Sequence, residues 1–276
     1  MNTSEPFRYD GRHALVVGGA TGMGAAAAEM LARLGARVTV FDHAPIEGTA
    51  NATVQVDLRD PADIDAALKT IDGPVHALFS AAGVADGTPG LMKVNFIGHR
   101  HIIETLVDDS RLGRGSGICM ISSVAGLGWE NNIPTLVEFL STGDYAAAAS
   151  WVETHDGTEN YVFSKQAMNC FVARQSFALM KAGIRINAVC PGPTDTPLAR
   201  ANADTWLGFA QDYRAATGTE HLTPTQIANA MVFLNSDAAS GISGVNLLID
   251  NGYILSSLAG GYEPGEPLAK LIFGRA

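Results

Sequence analysis

Only 17% of the 276 residues are charged, and basic residues are the scarcer kind: 18 Lys and Arg stand against 28 Asp and Glu, a formal net charge of -10. A chain so short of cations has no footprint with which to hold a polyanion, so nucleic acid is not an expected partner. Cysteine is scarcer still. Cys119, Cys170 and Cys190 are odd in number, each sits in an apolar run and none belongs to a CxxC, which points to buried free thiols and no metal site. Long hydrophobic runs are missing too. No stretch approaches the ~20 residues that cross a bilayer, and Met1 to Arg12, with Glu5, Arg8 and Asp10, has no apolar leader-like core. The expected setting is cytoplasmic, away from membranes.

What is present is a hydrophobic share of 47%, gathered into short β-branched runs between alanine-rich helical stretches. That alternation is the signature of a parallel sheet with helices on both faces, and the length suits one domain over residues 1–276. Seven nearly all-apolar runs are expected as strands: His13–Val17, Arg37–Phe41, Thr53–Val56, Ala77–Ser80, Gly117–Ile121, Ile184–Val189 and Asn246–Ile249. A helix is expected over Gly24–Leu34 with Gly35 as its left-handed cap. Asp60-Pro61 opens another over Ala62–Thr70, Asp as N-cap and Pro at the first helical position.

The first strand ends in Val17-Gly18-Gly19-Ala20-Thr21-Gly22-Met23-Gly24, a G-x-x-x-G-x-G array where a strand turns into a helix. Glycines there let a backbone approach a pyrophosphate, and the helix N-terminus offers unpaired N–H groups and a positive dipole end, as in the Rossmann fold. The second strand ends at Asp42, whose carboxylate can bind adenosine ribose hydroxyls and repel a 2′-phosphate. No Arg follows His43 within the turn, so NAD is the expected cofactor. Asp57-Leu58, after the third strand, is placed to contact the adenine edge.

Tyr161 and Lys165 lie four apart in a helical pattern from Val162 to Met180, on one face. A free tyrosine ionises near pH ~10, and a neighbouring ammonium is expected to lower this, which makes Tyr161 a usable acid or base. Ile121-Ser122-Ser123-Val124-Ala125-Gly126 places the Ser123 hydroxyl at the carboxyl edge of the sheet, where ligands bind in such folds.

These segments together resemble the short-chain dehydrogenase/reductase family from about Gly11 to Gly252. The resemblance implies Tyr161, Lys165, Ser123 and Asn95 as the catalytic set. Ser123 holds the substrate oxygen, Tyr161 exchanges its proton, Lys165 also binds the nicotinamide ribose, and Asn95 positions a water that relays protons. Asn95 can equally serve a helix backbone break. Ser80-Ala81-Ala82-Gly83 stands where the family usually has N-N-A-G, and Val17 replaces a frequent threonine, so hydrogen bonds at those points must differ. Pro191, Gly192, Thr194 and Thr196 are implied at the nicotinamide end of the cofactor.

From Ser123 to Tyr161 is 38 positions, longer than in most of the family, and the extra segment, about 127–158, reads as two helices, Pro134–Leu140 and Tyr145–Thr154. Bounded by two catalytic residues, it is expected to shape the substrate mouth. With the short span from Gly83 to Asn95, it resembles the bacterial 3α-hydroxysteroid dehydrogenase/carbonyl reductase and coniferyl-alcohol dehydrogenase branch. Leu198, Trp206, Leu207, Phe209 and Tyr213, in the lid region 197–223, suit a bulky apolar alcohol or ketone. The family also implies a homodimer or homotetramer, with the insertion obstructing the usual tetramer and the 258–276 tail crossing to a neighbour. A noncatalytic dinucleotide sensor is the rival reading, opposed by the intact catalytic set. An epimerase or dehydratase needs an extra domain, and enoyl reduction a wider tyrosine-to-lysine spacing.

Overall fold

The β-branched runs pair side by side into one sheet, with every pairing parallel. The computed structural model describes residues 5–46, 48 and 50–275, so the first four residues and the last one of the tail lie outside the description. The strands are β1 (His13–Val17), β2 (Arg37–Asp42), β3 (Ala52–Gln55), β4 (Val75–Ser80), β5 (Leu112–Ile121), β6 (Arg185–Pro191) and β7 (Asn246–Ile249), in the order β3-β2-β1-β4-β5-β6-β7. The order reverses direction between β1 and β4, the switch point at which such sheets open a crevice for ligands.

The inner strands are buried on both faces, while the edge strands β3 and β7 are exposed or half-buried, and alternate residues feed two cores. Ala14 and Val16 join one, Leu15 and Val17 the other. The helices are α1 (Gly22–Arg33), α2 (Pro61–Lys69), α3 (Gly98–Asp108), α4 (Ile133–Leu140), α5 (Tyr145–Thr154), α6 (Tyr161–Lys181), α7 (Pro197–Ala201), α8 (Ala203–Trp206), α9 (Gln211–Thr217), α10 (Pro224–Asn235), α11 (Tyr253–Leu258) and α12 (Glu266–Ile272). Among the described residues no helix is long and apolar enough to cross a membrane.

Local signals placed the helix ends well. Gly35 has φ +92°, as a left-handed cap requires. The Asp60 carboxylate accepts from the Ala62 amide at 2.9 Å, and Pro61 is the first residue of α2. Asn160 caps α6 by accepting from the Phe163 amide at 2.9 Å. β5 begins at Leu112 rather than Gly117. Its first residues, including Gly113, Arg114 and Gly115, carry no apolar pattern, and the register slips opposite Val75 and Ala77.

The helical insertion exists where expected but packs elsewhere. α4 buries Leu136 and Phe139, and the Phe139 ring meets Phe96 and Phe163 at 5.6 Å and Trp151 at 5.1 Å. The Tyr145 hydroxyl donates to the Leu58 carbonyl at 2.8 Å, and Arg100 donates to the Thr142 carbonyl at 2.6 Å. The two helices are therefore an extension of the main core. Their apolar faces, with Leu136, Phe139, Leu140, Tyr145 and Val152, are buried in that core.

Candidate active site

At the β1–α1 turn the chain comes closer to its neighbour than any side chain permits. A Cβ on Gly18, where φ is +86°, would stand 2.2 Å from the Ala82 nitrogen, and one on Gly24 would stand 2.0 Å from the Gly18 oxygen. Thr21 precedes α1 without capping it through its side chain, which leaves the first N–H groups of the helix for a ligand. Thr196 faces this turn, its methyl group 3.4 Å from where a Gly22 Cβ would lie. Together with Met23, Asp42, Leu58, Ala81 and Gly83, these residues line a groove of about 290 Å³. A glycine cradle, an uncapped helix N-terminus and a carboxylate at the end of β2 fit a dinucleotide.

Asp42 is anchored by the backbone. One carboxylate oxygen accepts from the Ala20 amide at 2.8 Å and the other from the Ala44 amide at 2.9 Å, so its position is fixed while each oxygen keeps acceptor capacity. Asp57 lines the groove as well. Arg59 donates to its two oxygens at 2.9 and 2.6 Å, and this guanidinium holds the carboxyl below its usual range. The Leu58 carbonyl accepts from the Tyr145 hydroxyl.

Tyr161 and Lys165 meet as their spacing requires, Nζ lying 5.4 Å from the ring centroid and donating to the Ile121 carbonyl at 2.8 Å. Ser123 and Tyr161 line the same chamber, and the Ser123 hydroxyl accepts from the Ala125 amide at 3.1 Å. The expected lowering of the phenol pKa is reversed. Burial pushes Tyr161 up to about 12 against the opposing effect of the Ser123 hydroxyl, and the Asp86 carboxylate adds to the rise. Burial brings Lys165 down to about 8. In both groups removal from water is the largest cause, and it disfavours the charged form of each.

Asn95 lies in a π-turn, Lys93–Ile97, where the Gly98 amide donates to the Lys93 carbonyl. Its side chain is spent on the loop before it: Oδ1 accepts from the Val84 amide at 2.7 Å, while Nδ2 donates to the Val84 carbonyl at 3.0 Å and to Ser164 at 3.3 Å. Asn95 thereby holds Gly83 beside Lys165, and any proton relay there depends on its main chain.

Next to the groove lies a chamber of about 830 Å³, joined to it at Ala81, Ala82, Gly83 and Thr196. Ser123, Tyr161, Lys165, Pro191, Gly192 and Thr194 line it as well. Leu198, Trp206 and Phe209 form one wall, the Trp206 ring 4.9 Å from that of Tyr161, as the lid reading requires. Leu207 and Tyr213 are not part of that wall. Tyr213 packs instead on Tyr253 and Tyr262, at 5.2 and 5.0 Å. Of the insertion, only Leu127, Gly128, Asn131 and Asn132 reach the chamber, so substrate shaping rests on this turn and not on α4 and α5.

Sequence reasoning missed Asp86, which accepts from the Tyr161 amide at 2.7 Å, and Asn169, which ties the Gly126 carbonyl and Cys190 to α6. The tail, too, reaches the site: Leu271 and Ile272 line the chamber. None of these belongs to a motif. Of the chamber-lining residues only Asp86 and Lys165 are charged.

The family described as short chain dehydrogenase matches residues 12–134, and that described as enoyl-(acyl carrier protein) reductase matches residues 143–254. The chain is 30% identical over 260 residues to cis-4-hydroxycyclohexanecarboxylate dehydrogenase of Sinomonas cyclohexanicum, covering 88% of this chain and 96% of that protein. It is 28% identical to coniferyl-alcohol dehydrogenase of a Pseudomonas species, covering 86% and 94%. Among solved structures, a 3-alpha-hydroxysteroid dehydrogenase from another Pseudomonas, complexed with NADH, superposes with a TM-score of 0.71 at 28% identity, over 90% of this chain and 98% of that one.

Proposed function

The chain belongs to the short-chain dehydrogenase/reductase family, oxidoreductases of alcohols and carbonyl compounds, and from that premise we propose that it is an NAD-linked dehydrogenase of an uncharged, bulky, apolar secondary alcohol. The observation that carries this reading is the convergence of Ser123, Tyr161 and Lys165 in a largely apolar chamber that opens onto a dinucleotide groove. When bound, the nicotinamide accepts or returns the hydride. The chain's own part is acid–base chemistry. Ser123 orients the substrate oxygen, Tyr161 takes or gives its proton, and Lys165 supplies the adjacent positive charge. Trp206, Leu198 and Phe209 exclude water.

The neutral substrate follows from the lining. With Lys165 committed to the Ile121 carbonyl and to Tyr161, no cation is left to pair a carboxylate or phosphate, and burying an unpaired anion beside Asp86 is costly. NAD use is read from Asp42, whose carboxylate, fixed at the end of β2 in the groove, would bind ribose hydroxyls and repel a 2′-phosphate. Asp42→Ala is expected to lower kcat/KM with NAD by roughly ten- to a hundredfold and to raise it with NADP, since a charged hydrogen-bond acceptor is lost and a repulsion removed. Steady-state kinetics with both cofactors and a panel of hydroxysteroids, terpenoid and aromatic alcohols checks this. A wild-type preference for NADP overturns the cofactor reading.

The pKa values set a direction with pH. A phenol at about 12 is protonated at neutrality, so it is ready to give a proton to a ketone but must lose one before serving as base. Alcohol oxidation is therefore expected to climb steadily between about pH 7 and 9, while ketone reduction does not rise and falls as Lys165, with its pKa near 8, loses its charge. Initial rates in both directions test it, and oxidation that falls over this range sinks the assignment.

A further inference from the structure

No motif marks the C-terminal segment, yet it completes the chamber. α12 delivers Leu271 and Ile272 to the wall opposite the sheet, and a latch holds them there. The Asn131 amide donates to the Ile272 carbonyl at 3.1 Å, and Gly128, at φ +71°, admits that carbonyl so closely that an added Cβ would stand 1.8 Å from it. The latch thus joins the insertion turn to the tail. Leu271 lines the chamber while remaining 67% exposed, an apolar side chain that the described residues leave largely uncovered.

The tail is also tied to the lid. Tyr253 of α11 meets Phe209 at 5.4 Å and Tyr213 at 5.2 Å, and the Tyr213 hydroxyl donates to the Asn251 carbonyl at 2.9 Å. Lid, tail and insertion turn therefore form one continuous rim around the opening.

We propose that α12 is a specificity element of the chamber: held by Asn131 and Gly128, it presents Leu271 and Ile272 to the distal part of the substrate and selects alcohols and ketones with an extended, uncharged apolar body over small ones. This rests on the reading of the chamber as a substrate site. A long ketone reaches the rim and covers Leu271, whereas a small one beside Tyr161 and Ser123 does not.

The test is calorimetric titration of the NAD-loaded protein, which cannot reduce a ketone, with 2-decanone and with cyclohexanone, for wild type, Leu271→Asp and Asn131→Ala. Leu271 is exposed, so its replacement leaves the fold intact, and the second variant loosens the latch without touching α12. Both variants are expected to weaken 2-decanone binding, Leu271→Asp about tenfold or more, while cyclohexanone changes by less than about twofold. An equal change for both ketones, no change for either, or no binding of 2-decanone by the wild type overturns the proposal. Binding needs no turnover, so the two readings fail separately. A size-selective loss in a protein that turns over neither ketone upholds the tail and removes the dehydrogenase, and turnover without that selectivity does the reverse.

Discussion

Tyr161→Phe is expected to lower kcat/KM for alcohol oxidation by roughly 10³- to 10⁴-fold, the worth of a positioned general acid or base. The substitution removes one oxygen and keeps the ring, so the 4.9 Å packing against Trp206 survives. The dinucleotide groove is built by Gly18, Gly24, Thr21 and Asp42, and the phenolic oxygen belongs to none of these. NADH binding, followed by fluorescence, is therefore expected to stay within about twofold of wild type, since losing one hydrogen bond distant from the groove leaves its contacts unchanged. Removing Ser123 is a smaller change, because Tyr161 keeps its place on α6. Near-normal turnover in Tyr161→Phe would falsify the assignment of the proton path.

A second large effect is expected at the glycine turn. Gly18→Ala meets two penalties at once: a left-handed backbone that costs an L-residue ~1–2 kcal/mol, and a Cβ at 2.2 Å from the Ala82 nitrogen, a main-chain atom of β4's extension that cannot rotate away. The turn or the 81–83 segment has to move, and both face the cofactor. The expected result is loss of NAD affinity by roughly a hundredfold or more, equivalent to ~3 kcal/mol, with a clear fall in Tm. Gly11→Ala is the control. Gly11 has nearly the same conformation, φ +72°, but nothing within 4 Å of an added Cβ, so it isolates the backbone strain from the overlap. If the two variants bind NAD and melt alike, close approach is not why Gly18 is glycine.

The parts legible in the sequence are those in which chemistry is local along the chain. Tyr161 and Lys165 are one helical turn apart, Asp60-Pro61 carries its cap in two residues, and the Gly18–Gly24 array shows its turn in seven, so each reads without knowledge of the rest. The same holds for the two helices of the insertion, whose starts are marked by Pro134 and by Asp144 accepting from the Ala147 amide. What failed to read is where distant segments meet. Nothing near Asp57 says that Arg59 will close on it rather than point to solvent, since both are common in turns. Nothing near Phe139 says that it belongs with Phe96 and Phe163 rather than over a substrate, because an apolar helix face looks the same in either place. The tyrosine pKa moved opposite to expectation for a related reason: the charge of Lys165 is visible in the sequence, whereas the desolvation that raises the phenol is a property of the assembled fold.

The rings of Phe209, Tyr213, Tyr253 and Tyr262 have a bearing on timing. Because they interlock the segment after β6 with the end of the chain, neither can swing outward unless these aromatic faces part together. Were the rim to close over a bound substrate, its reopening would move these segments as one piece, a movement of the microsecond-to-millisecond kind. Two substrates with very different chemical steps would converge on the same maximal rate once that reopening, rather than the proton or the hydride, is slowest.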